Sequence, residues 1–153
     1  SGIGEKRASE MYQVLNAEYE AVDTEKQLEN AIEESPDLLF DQPVHILARQ
    51  HYIFTEEKER HIVDMVFYDP EADEIILVEL KKDKIVMDHY YQIRRYLDNA
   101  PKSELLKSFL EKGSSIRGIL ATVEQCNFDV GVSNVSVHIV DRDKTIKRRF
   151  GNL

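Results

Sequence analysis

The chain has 153 residues, 42% hydrophobic and 32% charged, with a net charge of −9, as expected for one soluble globular domain with a real core. No apolar run approaches the ~20 residues that span a bilayer, and no signal-peptide pattern appears, so cytoplasmic residence is the default expectation. The one cysteine, Cys126, excludes an internal disulfide and a cysteine zinc cluster, and the acidic balance argues against a simple nucleic-acid coat protein.

The charge is uneven. Residues 1–78 hold 6 basic and 19 acidic side chains, whereas residues 79–153 hold 14 and 10. The later basic surplus makes local phosphate contact plausible, with solvated charge as the plain alternative. The Ser1-Gly2 start reads as a cloning scar or as the beginning of an excised piece.

Residues 6–22 carry Met11, Val14, Leu15 and Tyr19 at helical spacing. This segment is expected to be a helical extension that covers the domain, pairs with a second copy, or ends an upstream segment. Residues 23–153 form the domain proper. Thr24 and Gln27 make a capping box for a helix that runs to Glu34 and stops at Ser35-Pro36, with Leu28, Ala31 and Ile32 on one face. Glu25, three residues before Leu28, sits at the edge of that face and can reach the sheet. Glu29, one turn on, competes with it, and either glutamate can instead favour the helix dipole or the solvent. Leu38-Leu39-Phe40 is an apolar plug. A strand follows over Val44–Phe54, with Arg49 and His51 pointing outward, and Thr55–Arg60 reads as a turn.

His61 to Lys81 reads as two strands joined by the polar turn Asp69-Pro70-Glu71-Ala72-Asp73. Into apolar arms the sequence inserts Asp64, Glu79 and Lys81. A charge in a buried strand costs several kcal/mol unless it is compensated. Strand alternation places Ile75, Leu77, Glu79 and Lys81 on one face, and Asp64 with Ile62 and Val66. Across the turn the Asp64 and Glu79 carboxylates can converge, which favours a divalent cation, and Lys81 beside it can position a water. The plain alternative for Asp64 is a strand-end aspartate bonded to backbone.

A helix is expected over Val86–Asn99, with Gln92 and Tyr96 four apart on one face. A short helix over Ser103–Glu111 and strands over Ile116–Val123 and Val135–Val140 follow, with a right-handed crossover and parallel pairing. Arg142 to Phe150 reads as a final edge or tail. The sequence shows no repeats, no glycine-rich phosphate loop and no nucleophile elbow.

The ordered set of a helix glutamate, Asp64 on a strand, Glu79-Leu80-Lys81 on the next and Gln92-Ile93-Arg94-Arg95-Tyr96 on a helix resembles the PD-(D/E)XK nuclease superfamily. It is most similar to NucS-type and RecB-like endonuclease domains over roughly residues 24–97. The departure is Val63, where the signature has proline. The resemblance implies an α/β fold with a restriction-endonuclease-like core, a mixed central sheet flanked by helices. It implies a Mg²⁺- or Mn²⁺-dependent phosphodiesterase acting on nucleic acid, DNA before RNA. Asp64, Glu79 and the Leu80 carbonyl would hold the metal. Lys81 would orient water, and Glu25 would serve a second metal or a bound water. Gln92, Tyr96, Arg94, Arg95 and Lys82 would face the nucleic acid. The alternative is a catalytically silent module of the same fold that binds nucleic acid or a protein. A homodimer through the 6–22 helix, or a place in a larger protein, remains open at this point.

Overall fold

The computed structural model describes residues 24–55, 57, 59–129, 131 and 134–151. The expected 6–22 helix and the boundary at residue 23 lie outside them. The first described element is helix α1 (Glu25–Glu34), started by the expected capping box: Gln27 N–H donates to Thr24 Oγ1 at 3.1 Å and Thr24 N–H to Gln27 Oε1 at 2.9 Å. A 3₁₀ turn (Pro36–Leu38) ends the segment and drives Leu38, Leu39 and Phe40 into the core.

Three antiparallel strands follow: β1 (His45–Phe54), β2 (Arg60–Asp69) and β3 (Glu74–Lys81). The β2–β3 turn is fixed by Asp69, whose Oδ1 accepts the Glu71 and Ala72 N–H groups at 3.0 Å each. Helices α2 (Met87–Asn99) and α3 (Glu104–Glu111) then cross over to β4 (Ser115–Thr122), parallel to β3, and β5 (Val135–Ile139) lies parallel to β4. The strand order is β1-β2-β3-β4-β5, so the mixed sheet grows outward in chain order.

The sheet has a core on each side. Leu28, Ala31 and Ile32 of α1 pack with Met65, Phe67, Ile76, Val78 and Leu80. Ile93, Tyr96, Leu97 and Leu106 of α2 and α3 pack with Val66, Ile75, Leu77 and Leu120. The near-continuous apolar run of β3 reflects burial on both faces, as a central strand between two helix layers requires. Gly118 on β4 lets α2 approach: a Cβ there would lie 2.6 Å from Ile93 Cδ1. The architecture is mixed α/β, a five-stranded mixed sheet flanked by helices, and among the described residues no helix is long and apolar enough to cross a membrane.

One expected element differs. Arg142–Phe150 is not an edge or tail but a helix, α4, capped by Asp141, whose Oδ1 accepts Lys144 N–H at 2.9 Å. Only Thr145 of α4 is buried, so the segment lacks the apolar stripe that announces a helix. Charge holds it instead. Arg148 reaches Asp37 at 2.5 Å and Arg149 reaches Glu34 at 3.6 Å, fastening α4 beside α1.

Candidate active site

The last paired residues on the β2–β3 ladder towards the β3 C-terminus are Met65 and Val78. Beyond them, side chains replace the backbone pairing. Asp64 N–H donates to Glu79 Oε1 at 3.3 Å, and Leu80 N–H donates to Asp64 Oδ2 at 2.8 Å. Both amides find an acceptor, as buried backbone must, and the two carboxylates meet where the strands part. In a strand the N–H and C=O of one residue point to the same neighbour. The Leu80 carbonyl therefore lies on the edge of β3 that faces Asp64.

Glu79 is 3% exposed. Burial first, then the Asp64 charge and a hydrogen bond shared with Asp64, push its carboxyl up to about 9. Lys81, on the same strand face, partly opposes this, with Nζ 3.5 Å from Glu79 Oε2. The Tyr96 hydroxyl donates to Glu79 Oε2 at 3.3 Å. It also bonds Gln92, one helical turn back, and burial together with the two carboxylates raises its own pKa. Gln92, Tyr96, Glu79 and Asp64 thus form one chain of polar contacts running from α2 into the sheet.

Gln50 on β1 is the residue that sequence reasoning missed. Its φ is +49°, in the left-handed region that a non-glycine residue enters at a cost of about 1–3 kcal/mol. Its Nε2 donates to Glu29 Oε1 at 2.6 Å and to Asp64 Oδ1 at 3.2 Å. The backbone twist also breaks the alternation of β1. Arg49 reaches α1, where its Nε bonds Glu29 Oε2 at 2.8 Å and Nη2 bonds Asn30 Oδ1 at 2.6 Å. His51, two residues on, instead lies 2.7 Å from the Oγ of Ser103, the residue that caps α3. The expected outward pair Arg49 and His51 is therefore split between the two sides of the sheet. No signal in a Gln codon announces a left-handed φ. The burial of Glu29 was open to inference, because it lies next to Leu28 on the inner face of α1.

The residues named from sequence distribute as follows. Asp64, Glu79, Gln92, Arg95 and Tyr96 line one cleft of about 310 Å³, together with Gln50, Arg60, His61 and Ile62. Lys81 stands beside it through Glu79, and Lys82 is exposed at the end of β3. Tyr96 is 3% exposed, so it meets Glu79 rather than presenting a ring to the outside. Arg94 turns away to Asp98 at 2.9 Å and Asn134 at 3.2 Å. Glu25 is exposed in the first turn of α1, and its charge is felt at His89. Glu29, the competing glutamate, is 2% exposed and is joined to Asp64 through Gln50. His61 packs against Tyr96 with ring centroids 5.8 Å apart, and His89 accepts Val86 N–H at 3.1 Å as a helix cap.

Among the described residues no three His, Cys, Asp or Glu side chains come together as a metal-holding group. The two carboxylates and the Leu80 carbonyl edge still suit a hard cation. Mg²⁺ is commonly held by one or two carboxylates and keeps several waters. A half-buried carboxylate beside a buried one is also an arrangement that a cation relieves. No family model matches the chain. No curated protein matches it either.

Proposed function

We propose that the chain is a divalent-cation-dependent nuclease with a restriction-endonuclease-like core, hydrolysing phosphodiester bonds in nucleic acid, with DNA as the first substrate to test. The observation that carries this reading is the meeting of Asp64 and Glu79 at the parting of β2 and β3, with Lys81 Nζ 3.5 Å from Glu79. Asp64, Glu79 and the Leu80 carbonyl would hold Mg²⁺ or Mn²⁺. When bound, the cation supplies Lewis-acid polarisation of the phosphate and activation of the attacking water.

The chain's own residues do the rest. Tyr96 and Gln50 hold the two carboxylates in place through one hydrogen bond each. Lys81 orients the water for attack in line with the departing oxygen and offsets the charge that grows on the phosphate. Gln92 and Arg95, on the wall of the cleft, contact the nucleic-acid backbone. Lys82 extends the positive surface from the end of β3. Arg94 serves the same surface only if substrate releases it from Asp98. Glu25 is available to a second cation or its water, while Glu29 supports Asp64 by way of Gln50.

The test combines calorimetric titration of Mn²⁺ with cleavage of labelled single-stranded, duplex and flapped DNA and of RNA. Asp64→Asn, Glu79→Ala and Lys81→Ala are run beside the unaltered chain. Metal-dependent cutting abolished by all three substitutions supports the reading. A folded protein that binds metal at Asp64 and Glu79 but cuts nothing favours the silent binding module. A folded protein that binds no metal overturns the nuclease.

A further inference from the structure

The face of the β1–β2 ribbon that carries Asp64 continues outward past the cleft. On β2 the residues of that face are Asp64, Ile62 and Arg60, and all three line the cleft. Their neighbours on β1 are Gln50, Tyr52 and Phe54. Gln50 is bonded to Asp64, Tyr52 pairs with Ile62, and Phe54 pairs with Arg60. The opposite face is closed by Ile53 and Val63, both fully buried. Alternation thus leaves a strip that runs about 13 Å from Asp64 to Arg60.

The strip has the wrong composition for a solvated edge. Tyr52 is 44% exposed and Phe54 60% exposed, and their rings lie nearly parallel, 14° apart, with centroids 6.1 Å from each other. Arg60 lays its guanidinium over Tyr52 at 5.4 Å. The positive charges here are also without a carboxylate partner among the described residues. Arg49, Arg94 and Arg117 are each paired with carboxylates. Neither Arg60 nor Arg95 is paired with any carboxylate among the described residues, and both line the cleft that holds Asp64.

Exposed aromatic rings beside free guanidinium groups are the elements that hold single-stranded nucleic acid: bases stack on the rings and the cations follow the phosphates. A fully paired duplex offers such rings no base face except at its two end pairs, because its other bases are stacked on both sides. We propose that Tyr52, Phe54 and Arg60 form a stacking platform for unpaired nucleotides next to the cleft, so that the substrate is a strand with unpaired bases beside the bond to be cut. The proposal rests on the nuclease reading for the meaning of the cleft, but the platform can be tested without cleavage.

The chain has no tryptophan, so Phe54→Trp places a single fluorescent reporter on the strip. With EDTA present, the variant is titrated with a 20-nucleotide oligothymidylate, an abasic chain of equal length and charge, and a blunt duplex of two fully paired strands. Quenching by the oligothymidylate and not by the abasic chain is the expected result. In the otherwise unaltered protein, Tyr52→Ala combined with Phe54→Ala should weaken oligothymidylate binding at least tenfold and duplex binding less than twofold. Both side chains are exposed, so the thermal transition should stay in place. Equal quenching by the abasic chain, or no quenching at all, overturns the platform, whatever the cleavage assay shows. So does sedimentation showing a dimer that the double substitution dissociates, which would assign the strip to a second copy. Base-dependent quenching in a protein that never cuts keeps the platform and removes the nuclease.

Discussion

Asp64 and Glu79 stand on neighbouring strands, and each carboxylate takes a backbone N–H from the other strand, Glu79 from Asp64 itself and Asp64 from Leu80. The ladder is exchanged for side-chain bonds at the level where the charges are wanted. The strands can part there without leaving amides bare, and the acidic groups are held by the framework rather than by flexible neighbours.

Glu79 makes stability depend on pH in an unusual direction. Its folded pKa of about 9 lies above the unfolded value of 4.5, so the folded state binds the extra proton between them. The contribution is fully present below about pH 4.5 and is lost as pH rises towards 9. Thermal melts of the metal-free protein should therefore fall more steeply from pH 6 to 9 than those of Glu79→Gln. The variant should melt higher by a few degrees at pH 8.5, on the order of 1 kcal/mol. Adding Mg²⁺ should stabilise the unaltered protein more at pH 8.5 than at pH 6, because the cation displaces the proton. Equal slopes for the two proteins would show that Glu79 titrates normally.

Gln50 separates strain from purpose. Glycine accepts a φ of +49° freely, so the strain relieved in Gln50→Gly offsets part of the lost bond to buried Glu29, and stability should fall by no more than about 2 kcal/mol. The same change removes the link between Glu29 and Asp64, and Mn²⁺ affinity should fall about 10- to 100-fold. A variant that keeps its affinity would make the strained backbone merely structural.

Tyr96→Phe keeps the ring in the core and deletes the hydroxyl that meets Glu79. Stability should move by no more than about 1 kcal/mol. Calorimetry should show weaker Mn²⁺ binding, about tenfold, with the apparent pKa of the binding step altered, because Glu79 loses a donor to its charged form. Unchanged affinity and pH profile would reduce Tyr96 to packing.

Gly118→Ala tests the approach of α2 to β4. The new Cβ would meet Ile93 Cδ1 at 2.6 Å and Cγ1 at 3.0 Å, inside a fully buried contact. Urea unfolding should show a loss of about 1–3 kcal/mol. Shortening Ile93 to valine in the same chain should recover part of it, which a backbone effect alone would not allow.

Much of this was legible because burial writes itself into sequence. Ile75 to Leu80 read as a strand with apolar residues on both faces, and a carboxylate and a lysine inside or beside it had to be accounted for. Thr24 with Gln27 announced α1, and Gln92 with Tyr96 was visible as a pair on one helix face. What stayed hidden obeys other physics. Gln50 adopts a backbone state that its side chain does not advertise. Arg49 is bound by α1 through contacts 16 to 20 residues away in sequence, beyond any local pattern. The last helix is held by ion pairs to Asp37 and Glu34, and a run of Lys and Arg without an apolar stripe reads as a tail.

Every residue that lines the cleft falls between Gln50 and Tyr96, one uninterrupted stretch of chain. β4 and β5 contribute support but no wall. The meander and its following helix can therefore assemble the chemistry from near neighbours, before the distant parallel strands are in place. Loops on the β4–β5 side are correspondingly free to lengthen, shorten or be cut open, and a change of ends there would leave the cleft's own wiring continuous.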